Sequence, residues 1–503
     1  MDGHDGHCCR EKNRRNGFRH RRGRWHSCRF VTNTLGAALR QRGYESTVLH
    51  LSSYTKAVQL DTPWPRENAD EYTRISTLMK RGDELREKAG RGDILAAFAA
   101  AEINSRRTGE VPAALPTSAF ILRQLKHPDE IYALRRIYGD GFHAIGVYCP
   151  KKERRDYLML KEGMEDEQAD DLIARDENEA PSLGQKFRDT FYLADVFIEA
   201  GSEDAATTKT QVEGFLDLLF GTKIISPRRD EYGMFLAHAA ALRSSSLARQ
   251  VGAAILSETG EVLALGTNEV PRHGGGQYWE GEQPDARDHI LKIDASDKMR
   301  TDIVGEILQN LEPKWMELSA EEQATRIKAA VGKLKPTRVM NLTEFTRAVH
   351  AEMEALSSAT RVGVSARGAT LYTTTFPCHG CAKHIVVAGI TRVVYVEPYP
   401  KSLAIDLHND SIAVEEQPEG DHPKVRFEPF VGIAPRRYDV LFSTTTPEGT
   451  RIRRKDADGN VVEGQTHVRI SMSDRTYIQR ESDAARDLKD FIGRAQNGAN
   501  ENI

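Results

Sequence analysis

At 503 residues the chain exceeds what one ordinary hydrophobic core holds, so two to three domains are expected. A hydrophobic fraction of 39% beside 29% charged residues describes a globular protein, and without any apolar run of about 18 residues a membrane span is excluded. A net charge of −4 with 7% aromatic residues speaks against a broad nucleic-acid surface, which needs a basic field and stacking rings.

The first 30 residues carry nine Arg or Lys against three acids, mixed with histidines and with Cys8, Cys9 and Cys28. This stretch is expected to be disordered, and not the native start of the domain that follows. From Phe30 a helix-like pattern closes at Gly43, and 46–52 predicts a buried strand. Residues 71–107 are helical in period, 119–125 and 142–148 predict strands, and 195–198 is a short apolar run. Such alternation predicts a mostly parallel sheet covered by helices.

Near Ser226 the pattern changes, and a new helix over 231–245 marks a domain boundary. Residues 250–256 and 262–268, separated by Glu258-Thr-Gly260, predict a β-hairpin. A polar, Gly-rich and then helical insertion fills about 269–342. A helix beginning near His350, a strand at 370–374, a helix beginning near Cys378 and a strand at 392–396 follow. Beyond about Thr444 the chain is charged and aromatic-poor, with one strand-like piece at 466–472.

The chemistry concentrates in His350-Ala-Glu352 and Pro377-Cys378-His379-Gly380-Cys381. With 16 histidines, roughly one H-x-E arises by chance in such a chain, whereas 20 prolines and 6 cysteines make a chance P-C-x-x-C rare. A zinc ion that does chemistry takes three protein ligands and leaves one position for water. His350, Cys378 and Cys381 are the candidate ligands. The C-x-x-C spacing fits the first turn of a helix, where free N–H groups favour anionic sulfur, and Pro377 suits its start. Glu352, two residues beyond the histidine, is placed to reach the water without ligating, as a general acid/base. A closed structural site would need a fourth ligand, for which His379 and His384 are the neighbours in sequence. With only one cysteine motif, no disulfide framework is expected, and a reducing, cytoplasmic location is.

The pairing of H-x-E with P-C-x-x-C is the pattern of zinc nucleobase deaminases. Together with Arg249-Gln-Val-Gly-Ala-Ala-Ile, Gly266-Thr-Asn268, Met353-Glu-Ala-Leu and Cys381-Ala-Lys-His-Ile, it makes residues 229 to about 440 resemble the deoxycytidylate deaminase branch of the cytidine deaminase superfamily. Gly274-Gly-Gly-Gln-Tyr-Trp, Asp285-Ala-Arg-Asp288 and Glu397-Pro-Tyr-Pro-Lys-Ser402 look like the long bacterial anti-phage dCTP/dCMP deaminases. Those place a P-loop, nucleotide-kinase-like domain first, whose middle Leu125-Lys-His-Pro-Asp-Glu and Leu134-Arg-Arg-Ile-Tyr-Gly139 resemble.

The resemblance implies an α/β protein. A basic segment (1–29) precedes a P-loop kinase-like parallel-sheet domain (30–228), a zinc deaminase α-β-α sandwich (229–443) and an extension of unknown role (444–503). The loop is degenerate: Gly23-Arg-Trp-His-Ser-Cys-Arg precedes the helix where a Gly-rich turn ending in Lys and a hydroxyl residue belongs. The implied activity is zinc-dependent deamination of free dCTP or dCMP, depleting the dCTP pool in phage defence. A nucleotide at the N-terminal domain, a small inhibitory RNA and a homo-oligomer are the implied partners. Asn268 is the candidate for the sugar hydroxyl or base edge, Arg249 for phosphate, and Tyr399 and Lys401 for further substrate contacts. An editing deaminase acting on tRNA or single-stranded DNA would use the same zinc centre, and a nucleotide-sensing regulator is the non-enzymatic alternative.

Overall fold

The computed structural model describes residues 27–107, 113–177, 186–201, 205–342, 344–414, 423–446, 449–462 and 474–500. Residues 1–26 of the basic segment, with the first part of the degenerate loop, and the strand-like piece at 466–472 lie outside the described residues. The chain is a mixed α/β protein that divides into two compact units. Among the described residues, 27–193, 198–223 and 474–500 form one, and 194–197 and 224–462 the other. No helix among the described residues is long and apolar enough to cross a membrane. The four described cysteines, Cys28, Cys149, Cys378 and Cys381, are free thiols.

In the first unit the Ser27–Gln41 helix buries Val31, Leu35, Ala38 and Leu39, a spacing that puts all four on one face. Gly43, at φ +83°, turns the chain into β1 (Glu45–His50), which pairs in parallel with β2 (Ser118–Arg123). The expected buried strand at 46–52 is shorter and wetter than its sequence suggests. Only Leu49 of β1 is buried, and Leu51–Ala57 winds into a 3-10 helix. There the hydroxyls of Ser53 and Thr55 donate to carbonyls three residues back, competing with strand pairing. The helical stretch at 71–107 is two helices, Glu71–Ala89 and Ile94–Ser105, parted by Gly90 at φ +64°. β3 (Ile145–Tyr148) lies in the same unit.

The Asp474–Asn500 helix belongs to the first unit and packs on Ile94–Ser105, sharing one core through Leu488, Phe491, Leu95 and Phe98. Its fully buried Glu481 carboxylate accepts from Arg107 at 3.0 Å and Tyr138 at 2.8 Å, so that charge is paired where it is buried.

The second unit holds the site. β4 (Val196–Glu199) contributes Val196 and Phe197, which pair antiparallel with β11 (Gly432–Ile433). The main sheet contains β5 (Gly252–Leu256), β6 (Val262–Thr267), β7 (Thr370–Thr375), β8 (Arg392–Glu397), β9 (Ile412–Val414) and β10 (Val425–Pro429). Its order is β6-β5-β7-β8-β10-β9. β5 and β6 form the expected antiparallel hairpin, β5 also runs antiparallel to β7, and β7, β8, β10 and β9 are parallel.

Helices cover both faces because glycines let them close in. A Cβ on Gly252 would overlap the Ala237 carbonyl oxygen of the Arg229–Leu242 helix, and one on Gly266 would overlap that of Ala351. On the second face Ala351, Ala355 and Ala359, four residues apart, bury one side of the Ala351–Arg361 helix against Ala253 and Ile255. The insertion carries two packed helices, Ala295–Leu311 and Ala320–Leu334.

Candidate functional site

Two helix starts and one strand end converge. His350 is the N-cap residue of the Ala351–Arg361 helix, with extended backbone, and Val349 before it donates its N–H to the Glu269 carbonyl at 3.0 Å. Cys378 is the N-cap of the His379–Val387 helix, where its sulfur accepts from the Cys381 N–H at 3.4 Å. β7 ends between them at Thr375. Phe376 then locks the approach to Pro377 by packing edge-on against Tyr395, centroids 4.9 Å apart, and at 5.5 Å against Phe427.

The His350 Nδ1 lies 3.3 Å from both the Cys378 and Cys381 sulfurs, and the three ligand atoms all sit within 4.8 Å of one another. A tetrahedral zinc ion with ordinary Zn–N and Zn–S bonds sets its ligands about 3.5 to 3.8 Å apart, so a nitrogen and two sulfurs at this spacing fit it with little adjustment. The group could hold a zinc ion. Among the described residues neither His379 nor His384 joins it, and with three ligands it has the composition of a catalytic rather than a closed structural site.

Electrostatics agree with a cation in the triangle. Hydrogen bonding from the Cys381 thiol pushes the Cys378 sulfur down to about 4 against the effect of burial, with His350 adding to the fall, while Cys381 is driven well up. Both sulfurs must be thiolates to ligate zinc, so metal binding here would release protons. Burial pushes the Glu352 carboxyl above its ordinary range against the pull of His350, and the side chain is 4% exposed. Its Oε2 lies 3.4 Å from the Cys381 sulfur, and its Oε1 3.4 Å from the Thr373 hydroxyl. Glu352 therefore adjoins the triangle without belonging to it.

The candidates for substrate contacts form a neighbouring group. Asn268 spends both ends of its amide on the backbone: Oδ1 accepts from the Val251 N–H and Nδ2 donates to the Arg249 carbonyl, both at 2.7 Å. The Arg249 guanidinium, half-exposed, pairs with Glu397 at 2.7 Å and lies 5.4 Å from the Tyr399 ring centroid. Glu397 also accepts from the Thr375 hydroxyl at 3.3 Å. Lys401 is exposed on the same loop, which Ser402 ties to the metal helix by donating to the Pro377 carbonyl at 2.7 Å. Sequence reasoning gave no individual role to Thr373, Thr375 or Glu397. The signal of the two threonines is the hydroxyl-rich strand Thr370-Leu-Tyr-Thr-Thr-Thr375, which puts them on the face of Leu371, where apolar residues belong.

A histidine and two cysteines at two helix starts, with a buried glutamate alongside, form a group suited to a zinc ion. Residues 227–397, roughly a third of the chain, match the family model of the cytidine and deoxycytidylate deaminase zinc-binding region. The deoxycytidylate deaminase of Enterobacteria phage T2 is 48% identical over 54 residues, 11% of this chain and 29% of the phage protein. ComE operon protein 2 of Bacillus subtilis (strain 168) is 45% identical over 53 residues, 10% and 28% of the two chains. The chain thus spans less than a third of the length of these curated relatives. The apo crystal structure of the dCMP deaminase from cyanophage S-TIM5 aligns at 18% identity over 41% of this chain and 100% of that one. Its TM-score of 0.23 is too low to carry an argument.

Proposed function

We propose that this protein hydrolyses the 4-amino group of a free deoxycytidine nucleotide, yielding the deoxyuridine nucleotide and ammonia. The observation that carries this reading is Glu352, buried beside a three-ligand His/Cys/Cys triangle yet outside it. The matched zinc-binding region and the phage relative's name support a dCMP-like substrate. His350, Cys378 and Cys381 would hold the zinc ion, which would supply the Lewis acidity that lowers the pKa of water towards neutrality.

Glu352 takes the proton of the attacking water as a C4–O bond forms, and delivers it to N3 of the ring. The carboxylate so regenerated then takes the remaining proton of the C4 hydroxyl and passes it to the amino group, and the C4–N bond breaks as C4=O forms, so that ammonia leaves. Arg249, held half-exposed by Glu397, is the group suited to a nucleotide phosphate. Asn268 shapes the 249–251 backbone beneath it and keeps one N–H for a sugar or base.

The acidic net charge and low aromatic content favour a free nucleotide over a nucleic acid. The finer reading, in which dCTP as well as dCMP is consumed in phage defence under a small RNA, rests on the resemblance of the 274–279, 285–288 and 397–402 segments, and that of a kinase-like first domain on the 125–130 and 134–139 segments. Incubation of the protein with dCTP, dCMP, cytidine and a cytosine-bearing oligonucleotide, followed by assay of uracil products, tests the proposal. Nucleotide turnover supports it, and turnover of the oligonucleotide alone overturns it.

A further inference from the structure

Thr373 occupies the middle of the sheet, paired through its backbone to Ala253 on one side and Tyr395 on the other, and its side chain is wholly buried. It shares its face with Leu371, and β5 places Ala253 and Ile255 in the same apolar core. Valine has the shape of threonine without the hydroxyl, and a buried hydroxyl is costly unless it is hydrogen-bonded. Here it is bonded twice: Oγ1 lies 3.0 Å from the Thr375 carbonyl oxygen and 3.4 Å from Glu352 Oε1.

The one hydroxyl proton is within reach of both oxygens, and rotation about a single C–O bond turns it from one to the other with no heavy atom moving. The other carboxyl oxygen, Oε2, faces the Cys381 sulfur at 3.4 Å.

We propose that Thr373 is a positioning residue for Glu352, whose hydroxyl fixes the carboxyl so that Oε2 is the oxygen presented to the His350, Cys378 and Cys381 triangle. The kinetic consequence rests on Glu352 being the proton carrier of the deamination proposed above. The geometric claim does not.

The test compares Thr373→Val and Thr373→Ser in the full-length, zinc-loaded protein, with dCMP as substrate. Zinc content, melting temperature, kcat and KM are measured, and the crystal structure of each variant is determined. Thr373→Val should keep its zinc and its fold, hold KM within about twofold and lose about 10- to 100-fold in kcat, the range for outer partners of a metal site. Its Glu352 carboxyl should be rotated away from the wild-type orientation. Thr373→Ser should restore both kcat and the carboxyl orientation. Unchanged kcat in a folded, zinc-loaded Thr373→Val, or a Thr373→Ser as slow as the valine variant, overturns the proposal. A wild-type protein inert towards every nucleotide defeats the deaminase reading instead. The variant structures then decide on the positioning claim, and an unmoved Glu352 carboxyl in Thr373→Val overturns it.

Discussion

Glu352 Oε2 lies 3.4 Å from the Cys381 sulfur, yet Glu352 stands outside the set of ligand atoms formed by His350, Cys378 and Cys381. A group in that position can handle a proton without holding the metal. Glu352→Gln, which keeps the size and loses the acid–base function, should therefore bind zinc as the wild type does while deamination falls about 10²- to 10⁴-fold. Metal analysis alongside turnover checks the prediction. Loss of zinc in Glu352→Gln would place the carboxylate among the ligands instead.

The triangle itself predicts linkage between metal and stability. A ligand that binds only the folded state adds about 2.7 kcal/mol when its free concentration is a hundred times its Kd. Zinc should therefore raise the melting temperature of the wild type by several degrees. The increment should vanish in His350→Ala and Cys381→Ser, whose apo forms should melt near the wild-type apo form.

Asn268 separates two kinds of substitution. Aspartate keeps an acceptor for the Val251 N–H but faces the Arg249 carbonyl with a second oxygen, whereas alanine removes both bonds. Because the group is only partly buried, each bond contributes on the order of 1 kcal/mol, and a repulsive oxygen pair costs a comparable amount. Both variants should be less stable than wild type in urea unfolding. Both should raise KM more than they lower kcat, because the 249–251 backbone carries Arg249.

Phe376 connects the core to the metal helix. Removing its ring leaves a cavity between Tyr395 and Phe427, and Phe376→Ala should cost about 3 to 5 kcal/mol of unfolding free energy. Denaturant titration measures this. Phe376→Leu should recover most of the stability, and with it the zinc affinity.

Acid sensitivity has an identifiable contributor on the opposite face of the sheet. Burial raises the Asp230 carboxyl, but Arg392, at 2.7 and 2.9 Å, and the Tyr372 phenol at 2.8 Å more than offset it, and the group ends below its ordinary 3.8. A depressed folded pKa contributes stability that is complete above the unfolded value and is lost as pH falls through the folded one. Asp230→Asn should therefore lower stability at neutral pH by about 1 to 3 kcal/mol, with the difference from wild type shrinking below about pH 4. Urea midpoints at pH 7 and pH 3 test the sign.

The grouping of His350, Cys378 and Cys381 was legible because a C-x-x-C spacing and a histidine at a helix start are local properties. The Arg229–Leu242 helix and the β5–β6 hairpin followed from periodicity alone in the same way. The order β8-β10-β9 was not legible, since parallel pairing joins segments whose contacts leave no periodic mark. The 3-10 turn at Leu51–Ala57 escaped because its apolar residues continue the pattern of β1 while serine and threonine hydroxyls redirect the backbone. Thr373 and Glu397 escaped for another reason. Their importance lies in what they touch, Glu352 and Arg249, 21 and 148 residues away in the chain.

The most direct measurement of the central claim follows dCMP, its deoxyuridine product and ammonia together in zinc-loaded wild-type protein and in Glu352→Gln. The account predicts one product nucleotide and one ammonia per dCMP consumed by the wild type, and both formed about 10²- to 10⁴-fold more slowly by a Glu352→Gln protein that still holds its zinc. Equal turnover by the two proteins, or a fully zinc-loaded wild type that converts no deoxycytidine nucleotide, would contradict it.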